Sequence, residues 1–269
     1  MLTLVPTPIG NIADISLRAM EALFRADTIL CEDTRVTKKL LNLLSERYHR
    51  PRKEQRFIAL HSHNEAQFID NLHVNFFDAD VIYVSDAGMP GISDPGQLLV
   101  RYALEHEIAY DVLPGANAAL TAFVASGFVT TQMLFFGFLP HKGADRKAAL
   151  LQALYNGFTT VVYESPHRLH KLLEEIHAED ATRSLFLAKE LSKRYQNFYK
   201  GTADQIRNAL NIHVKGEWVV VIESAPARYS SLSEADVLAL NIPKKAASKL
   251  ISKITGENPK KCYERLIES

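Results

Sequence analysis

The stretch Val84-Ser-Asp-Ala-Gly-Met-Pro-Gly-Ile-Ser-Asp-Pro-Gly96 decides how this chain folds. It follows a short apolar run, 81–84, and leads into a helical pattern over 95–106. Gly88, Gly91 and Gly96 with Pro90 and Pro95 make the segment a shaped loop between a buried strand and a helix. Such a loop brings backbone amides close to a ligand, because glycine reaches unusual dihedrals and permits near approach. Asp86, at the strand's end, is expected to accept hydrogen bonds from a ligand, with Gly88 beside it. Asp94 is expected to cap the helix that Pro95 starts.

Outward from this loop the same alternation repeats. Apolar runs at 2–5, 28–31, 57–60 and 110–113 read as strands. Helical patterns fall at 16–24, 36–44 and 65–76. Strands alternating with helices predict a mostly parallel, buried sheet with helices on its faces. A second α/β stretch follows: helices at 146–155, 168–176 and 203–210, and strands at 159–163, 184–188 and 217–223. The expected division is 1–113, 114–225 and a tail at 232–269, with ligand in the crevice between the first two. Residues 225–231 read as a linker. The tail shows three short helical patterns, 233–240, 243–254 and 259–267.

The chain has 269 residues with 31 Lys plus Arg against 31 Asp plus Glu. Disorder and coiled coil are excluded as global descriptions. A nucleic-acid partner must be held by local basic patches. Two such patches exist. Residues 35–56 carry Arg35, Lys38, Lys39, Arg47, Arg50, Arg52, Lys53 and Arg56 against Glu46 and Glu54, a net of +6. Residues 244–265 carry seven cations, Lys249 and Lys253 among them, against Glu257 and Glu264, a net of +5. Each reads either as a solvated face or as a phosphate-contacting surface, the tail in helix-turn-helix form. Cys31 and Cys262 form no CxxC pair, which fits a reducing compartment and disfavours a thiolate metal site. His61 and His63 lie on one face of an extended segment, yet loop bonding or RNA contact suits them better than a metal. No metal is expected. There is no signal-peptide pattern and no run of ~18 apolar residues, so no membrane span and a cytoplasmic location are expected.

The other loops carry small residues: Val5-Pro-Thr-Pro-Ile-Gly-Asn11 after the first strand, and Leu113-Pro-Gly-Ala-Asn-Ala-Ala119. Neither GxGxxG nor GxxxxGK[ST] is present. Together with Glu32-Asp-Thr-Arg35, His61-Ser-His-Asn-Glu65, Tyr163-Glu-Ser-Pro-His-Arg168 and Lys189-Glu-Leu191, these loops resemble the ribosomal RNA small-subunit methyltransferase I family. That family sits within the tetrapyrrole methylase superfamily. The resemblance runs in order along essentially the whole chain. It implies two α/β domains of tetrapyrrole methylase type with the methyl donor, S-adenosyl-L-methionine, between them, and a small C-terminal helical segment. It further implies 2′-O-methylation of a cytidine in the decoding region of 16S rRNA within the 30S subunit, and a homodimer. Donor contacts are implied at Pro8, Asp86, Gly88, Met89, Asn117, Ala118, Tyr163, Glu164 and Glu217. Met89, Gly91 and the Ala116-Asn117 pair depart from the commonest pattern.

A ribose hydroxyl is a weak acid, so a base or nearby cation should help remove its proton. The candidates are Asp33, Glu164, Lys189 and Glu190, with Lys189 and Glu190 preferred; these two also read as a simple ion pair. Arg168, at a helix start, is expected to contact phosphate alongside Arg35, Lys38, Arg50, Arg52, Lys53, Lys249 and Lys253. Two other functions stay open: a methyltransferase of a corrin or porphyrin precursor, and a non-catalytic RNA-binding assembly protein. The two basic stretches argue against the first and the intact Asp86–Gly88 loop against the second.

Overall fold

A computed structural model describes residues 1–210, 214–227, 234–240 and 242–268. The first sheet is built from β1 (Leu2–Leu4), β2 (Thr28–Cys31), β3 (Arg56–Ala59), β4 (Val81–Val84) and β5 (Tyr110–Val112). Its helices are α1 (Leu17–Arg25), α2 (Thr34–Tyr48), α3 (Glu65–Asp70) and α4 (Gln97–Glu105). The order is β3-β2-β4-β1-β5, parallel throughout. Strand residues alternate between two apolar layers, as burial on both faces requires. Ile29, Cys31, Ile82 and Val84 face Leu23, Leu41 and Leu44. Leu30, Val81 and Tyr83 face Phe77, Leu99 and Tyr102.

Local signals set the helix starts. Ser16 accepts from the Ala19 amide at 3.1 Å, and Asp33 accepts from the Arg35 amide at 2.8 Å. Two expectations fail. Residues 65–76 do not form one helix: α3 stops at Asp70 and a 3-10 turn covers Val74–Asp78. Asn71 donates back to the Gln67 carbonyl, a local bond that competes with the helical ladder. Asp94 does not cap α4 either. Gly96, at φ 128°, is the cap residue, and the Glu65 carboxylate takes the Gly96 amide at 2.8 Å. A side chain at Gly96 would also press on the Tyr83 ring, 3.1 Å away.

The second sheet uses β6 (Met133–Phe138), β7 (Thr159–Glu164), β8 (Ser184–Lys189), β9 (Asn197–Thr202) and β10 (Trp218–Ile222) in the order β6-β7-β10-β8-β9. Only β6–β7 is parallel, so this sheet is mixed. Its helices are α5 (Ala118–Ser126), α6 (Gly143–Tyr155), α7 (Pro166–Glu179) and α8 (Ala203–Ala209). Central β10 sends Trp218, Val220 and Ile222 against Leu154, Leu172 and Ile176, and Val219 and Val221 against Ala119 and Ala122 of α5. Sequence reading missed α5, β6 and β9. The α5 run Ala-Ala-Leu-Thr-Ala-Phe-Val-Ala-Ser is apolar around most of its circumference and lacks a readable stripe. β9 is an edge strand with an exposed, polar-interrupted pattern.

The tail forms α9 (Glu234–Ala239), α10 (Lys244–Thr255) and α11 (Pro259–Glu268) around Val237, Ala247, Ile251, Cys262 and Leu266. Arg265 ties it by bonds to Glu234 at 2.7 Å and Glu257 at 2.9 Å. The linker expected at 225–231 runs past Ala227 outside the described residues. No described helix is long and apolar enough to cross a membrane.

Candidate active site

Three loops converge at the carboxyl ends of neighbouring strands β4, β1 and β5. Thr7 and Gly88 exchange backbone bonds of 2.9 and 3.1 Å, joining the loop after β1 to the loop after β4. Gly115 sits so close to Pro6 that a Cβ there would lie 2.3 Å from Pro6 Cγ. The small residues of the three loops are therefore needed for the loops to meet. Strand order changes direction here, which is where open α/β sheets place their ligands.

A cavity of about 360 Å³ lies between these loops and the second sheet, lined among others by Gly88, Met89, Asp94, Asn117, Ala118, Tyr163, Glu164, Glu217 and Trp218. Its size falls among small-molecule sites, which run from about 300 to 1,000 Å³. The described lining contains three carboxylates and no Lys, Arg or His. The amino-terminal ends of α5 and α7 also open on it, at Ala118 and at Ser165-Pro166. Carboxylates favour a cationic group, and helix amino-termini favour an anionic one. Together they suit a zwitterion with a separate positive centre.

The three carboxylates differ in state. Glu164 is fully buried; its Oε1 accepts from the Ser165 amide at 2.8 Å and from Arg168 Nε at 2.6 Å. Its other oxygen faces the buried Arg146 at 3.5 Å, and Arg146 also pairs with Glu175 at 2.8 Å. Glu217 is exposed and bonded to Lys193 at 2.9 Å. Asp94 has no cation partner among the described residues. Burial raises its carboxyl to about 6, helped by the charges of Glu32 and Asp86 and opposed by a bond with the Ser85 side chain. Burial also raises Glu32 and Asp86, which repel one another. Tyr163 is raised by burial, and the nearby Asp94 charge acts in the same direction.

Of the expected donor contacts, Gly88, Met89, Asn117, Ala118, Tyr163, Glu164 and Glu217 line the cavity, while Pro8 and Asp86 do not. Asp86 instead accepts from the Asp33 amide at 3.0 Å, holding the start of α2 against the β4 loop. Asn117 spends its side-chain oxygen capping α5, on the Leu120 amide at 3.0 Å. Lys189 and Glu190 lie outside the cavity lining. They do not pair with each other: Lys189 stacks over the Trp218 ring at 5.6 Å, and Glu190 binds Lys193 at 2.9 Å and the Glu217 amide at 2.8 Å. Burial alone would raise Glu190, but that amide and Lys193 outweigh it and hold it low. Asp33, a further candidate base alongside Glu164, is held down to about 2 by Arg35.

The expected RNA contacts divide. Arg168 turns inward to Glu164 and the Leu139 carbonyl, so it is not open to phosphate. Arg35 is exposed beside Asp33, Lys38 lies 5.0 Å over Phe57, Arg52 bonds Asn42 and Lys53 bonds Asp27. Arg50 is half-buried. Lys249 and Lys253 are exposed on α10 and are ion-paired to no described residue. His61 and His63 contact each other edge-on at 5.9 Å, and no group of three metal-binding side chains converges among the described residues. What sequence reading missed is Asp94, whose position before Pro95 looked like a cap.

The family model for tetrapyrrole (corrin/porphyrin) methylases matches residues 1–207. A ribosomal RNA small subunit methyltransferase I from Helicobacter pylori (strain ATCC 700392 / 26695) is 44% identical, with 100% of this chain and 99% of the relative covered. Among solved structures, the methyltransferase CobJ superposes with TM-score 0.59 at 16% identity, covering 83% of this chain and 94% of its own. Uroporphyrin-III C-methyl transferase from Thermus thermophilus, complexed with S-adenyl homocysteine, superposes with TM-score 0.56 at 13% identity, covering 82% and 96%. The loops, the two sheets and these matches agree: the chain belongs to the tetrapyrrole methylases, in the ribosomal RNA small subunit methyltransferase I family.

Proposed function

We propose that this protein uses S-adenosyl-L-methionine to methylate 16S rRNA, at the ribose 2′-hydroxyl of a cytidine in the decoding region. The observation that carries the reading is the cavity, acid-lined and free of described cations, with two helix amino-termini opening on it. Those features fit a donor with a sulfonium, an ammonium and a carboxylate. When bound, the donor supplies an activated methyl group on a good leaving group. The chain's own task is then alignment and proton removal. Glu217 offers negative charge to the donor's cationic centres, and the α5 and α7 ends suit its carboxylate. The family relationship supports rRNA as the acceptor.

The reading extends to the whole assembly. Residues 1–113 and 114–225 act as two domains closing on the donor, and 232–269 as an RNA-contacting appendage. The acceptor is rRNA within the 30S subunit, and the working form is a homodimer. The exposed cations of α2 and of the tail support phosphate contact. The test incubates 30S subunits, lacking this modification, with methyl-labelled S-adenosyl-L-methionine and the protein, then digests the RNA to nucleosides. Label in 2′-O-methylcytidine is expected. Label in a base, or in no rRNA, overturns the reading.

A further inference from the structure

Resting on that reading, we infer that Asp94 is the proton acceptor of the transfer, taking the acceptor hydroxyl's proton inside the cavity. The first observation is its release from the role its sequence position suggests. Gly96 and the Glu65 carboxylate serve the start of α4, so Asp94 is free of the helix. The second is its place. It lines the cavity from the first half of the chain, close enough to Tyr163 in the second half to act on that phenol electrostatically. The third is elimination among the cavity's acids. Glu164 is locked between Arg146 and Arg168, and Glu217 is bonded to Lys193; Asp94 alone has no described cation to hold its charge.

Its surroundings complete the argument. Burial disfavours its anion, and Glu32 after β2 and Asp86 after β4 add negative charge near it. The Tyr83 hydroxyl is buried with no hydrogen-bond partner among the described residues, within electrostatic reach of Glu32, Asp94, Glu65 and Asp86. A carboxylate that is disfavoured as an anion is a stronger base than an ordinary one, and a useful base works near its operating pH. In the step, the hydroxyl oxygen bonds to the methyl carbon as the carbon–sulfur bond breaks. The bonding pair leaves with sulfur, which becomes a neutral thioether. The hydroxyl proton passes to the Asp94 carboxylate.

The experiment compares full-length wild type, Asp94→Asn and Asp94→Glu. Donor affinity is read by calorimetry with S-adenosyl-L-methionine, and single-turnover methyl transfer to 30S subunits is read from pH 5 to 8.5. The wild-type rate should climb through about pH 6 and level off. Asp94→Asn should keep donor affinity within about threefold, lose about 10²–10⁴-fold in rate and lack that limb. Asp94→Glu should recover part of the rate together with the limb. An Asp94→Asn rate within threefold of wild type, or a rate loss matched by loss of donor binding, overturns the assignment. A wild type that labels no rRNA instead overturns the underlying function, so the two failures are distinct.

Discussion

Asp94 shows at the scale of one residue how a catalytic demand opposes stability. Its folded-state pKa lies above that of the unfolded chain, so the folded protein holds the proton to higher pH. The associated stability is complete below about pH 4 and is lost as pH rises through about 6. Asp94→Asn should therefore be more stable than wild type at pH 7.5, by about 1 kcal/mol after allowance for solvent screening, and match it at pH 4. Calorimetric melting at the two pH values checks this without any substrate. Arg146 behaves in the opposite way. It is 2% exposed and shared between Glu164 and Glu175. Arg146→Ala leaves buried carboxylate charge undercompensated and should cost about 3–5 kcal/mol in urea unfolding. Asp86, which sequence reading aimed at a ligand, holds a backbone amide instead. Asp86→Ala should cost about 1–3 kcal/mol of stability. Its effect on donor affinity should stay below that of Gly115→Ala.

At the scale of elements, the site depends on three loops meeting where β4, β1 and β5 end. The Thr7–Gly88 bridge and the Pro6–Gly115 approach fix their spacing. A methyl group at Gly115 has nowhere to go but against Pro6. Gly115→Ala should therefore cost about 1–3 kcal/mol by overpacking and weaken donor binding at least tenfold, measured by titration. These loops were legible as loops because glycine, proline and small residues cluster in them. Their convergence was not legible, since it follows from β4 inserting between β2 and β1. The missed α5 has the same lesson. Asn117 stood in a small-residue loop, and the structure uses it as the cap of a helix whose left-handed end is Gly127.

On the scale of the whole molecule, two basic surfaces lie outside an acidic cavity. The tail has its own small core, and six of its lysines are exposed. Cutting the chain after Ala227 removes these lysines and leaves every cavity-lining residue in place. Donor affinity should be unchanged. Binding to 30S subunits should weaken, and the slope of log affinity against log salt should fall by about 0.7–0.9 for each lost phosphate contact. Filter binding at several salt concentrations measures it. An unchanged slope would make the tail a structural cap.

Periodicity and punctuation along the chain were enough to establish an α/β fold with a helical tail, the positions of most strands and the loops that build the site. These features are encoded locally: a strand buried on both faces needs an apolar run, and a close approach needs glycine or another small residue. The partners of charged side chains were decided only in three dimensions. Arg168 looked open to phosphate and is tied to Glu164; Glu190 looked reactive and is held by Lys193; Asp94 looked like a cap and faces the cavity. A charge interacts with whatever the fold brings within a few ångströms, and Glu164, Glu217 and Asp94 reach one cavity from three separate parts of the chain. Sequence spacing carries no record of that meeting, so the state of each carboxylate had to come from the tertiary structure.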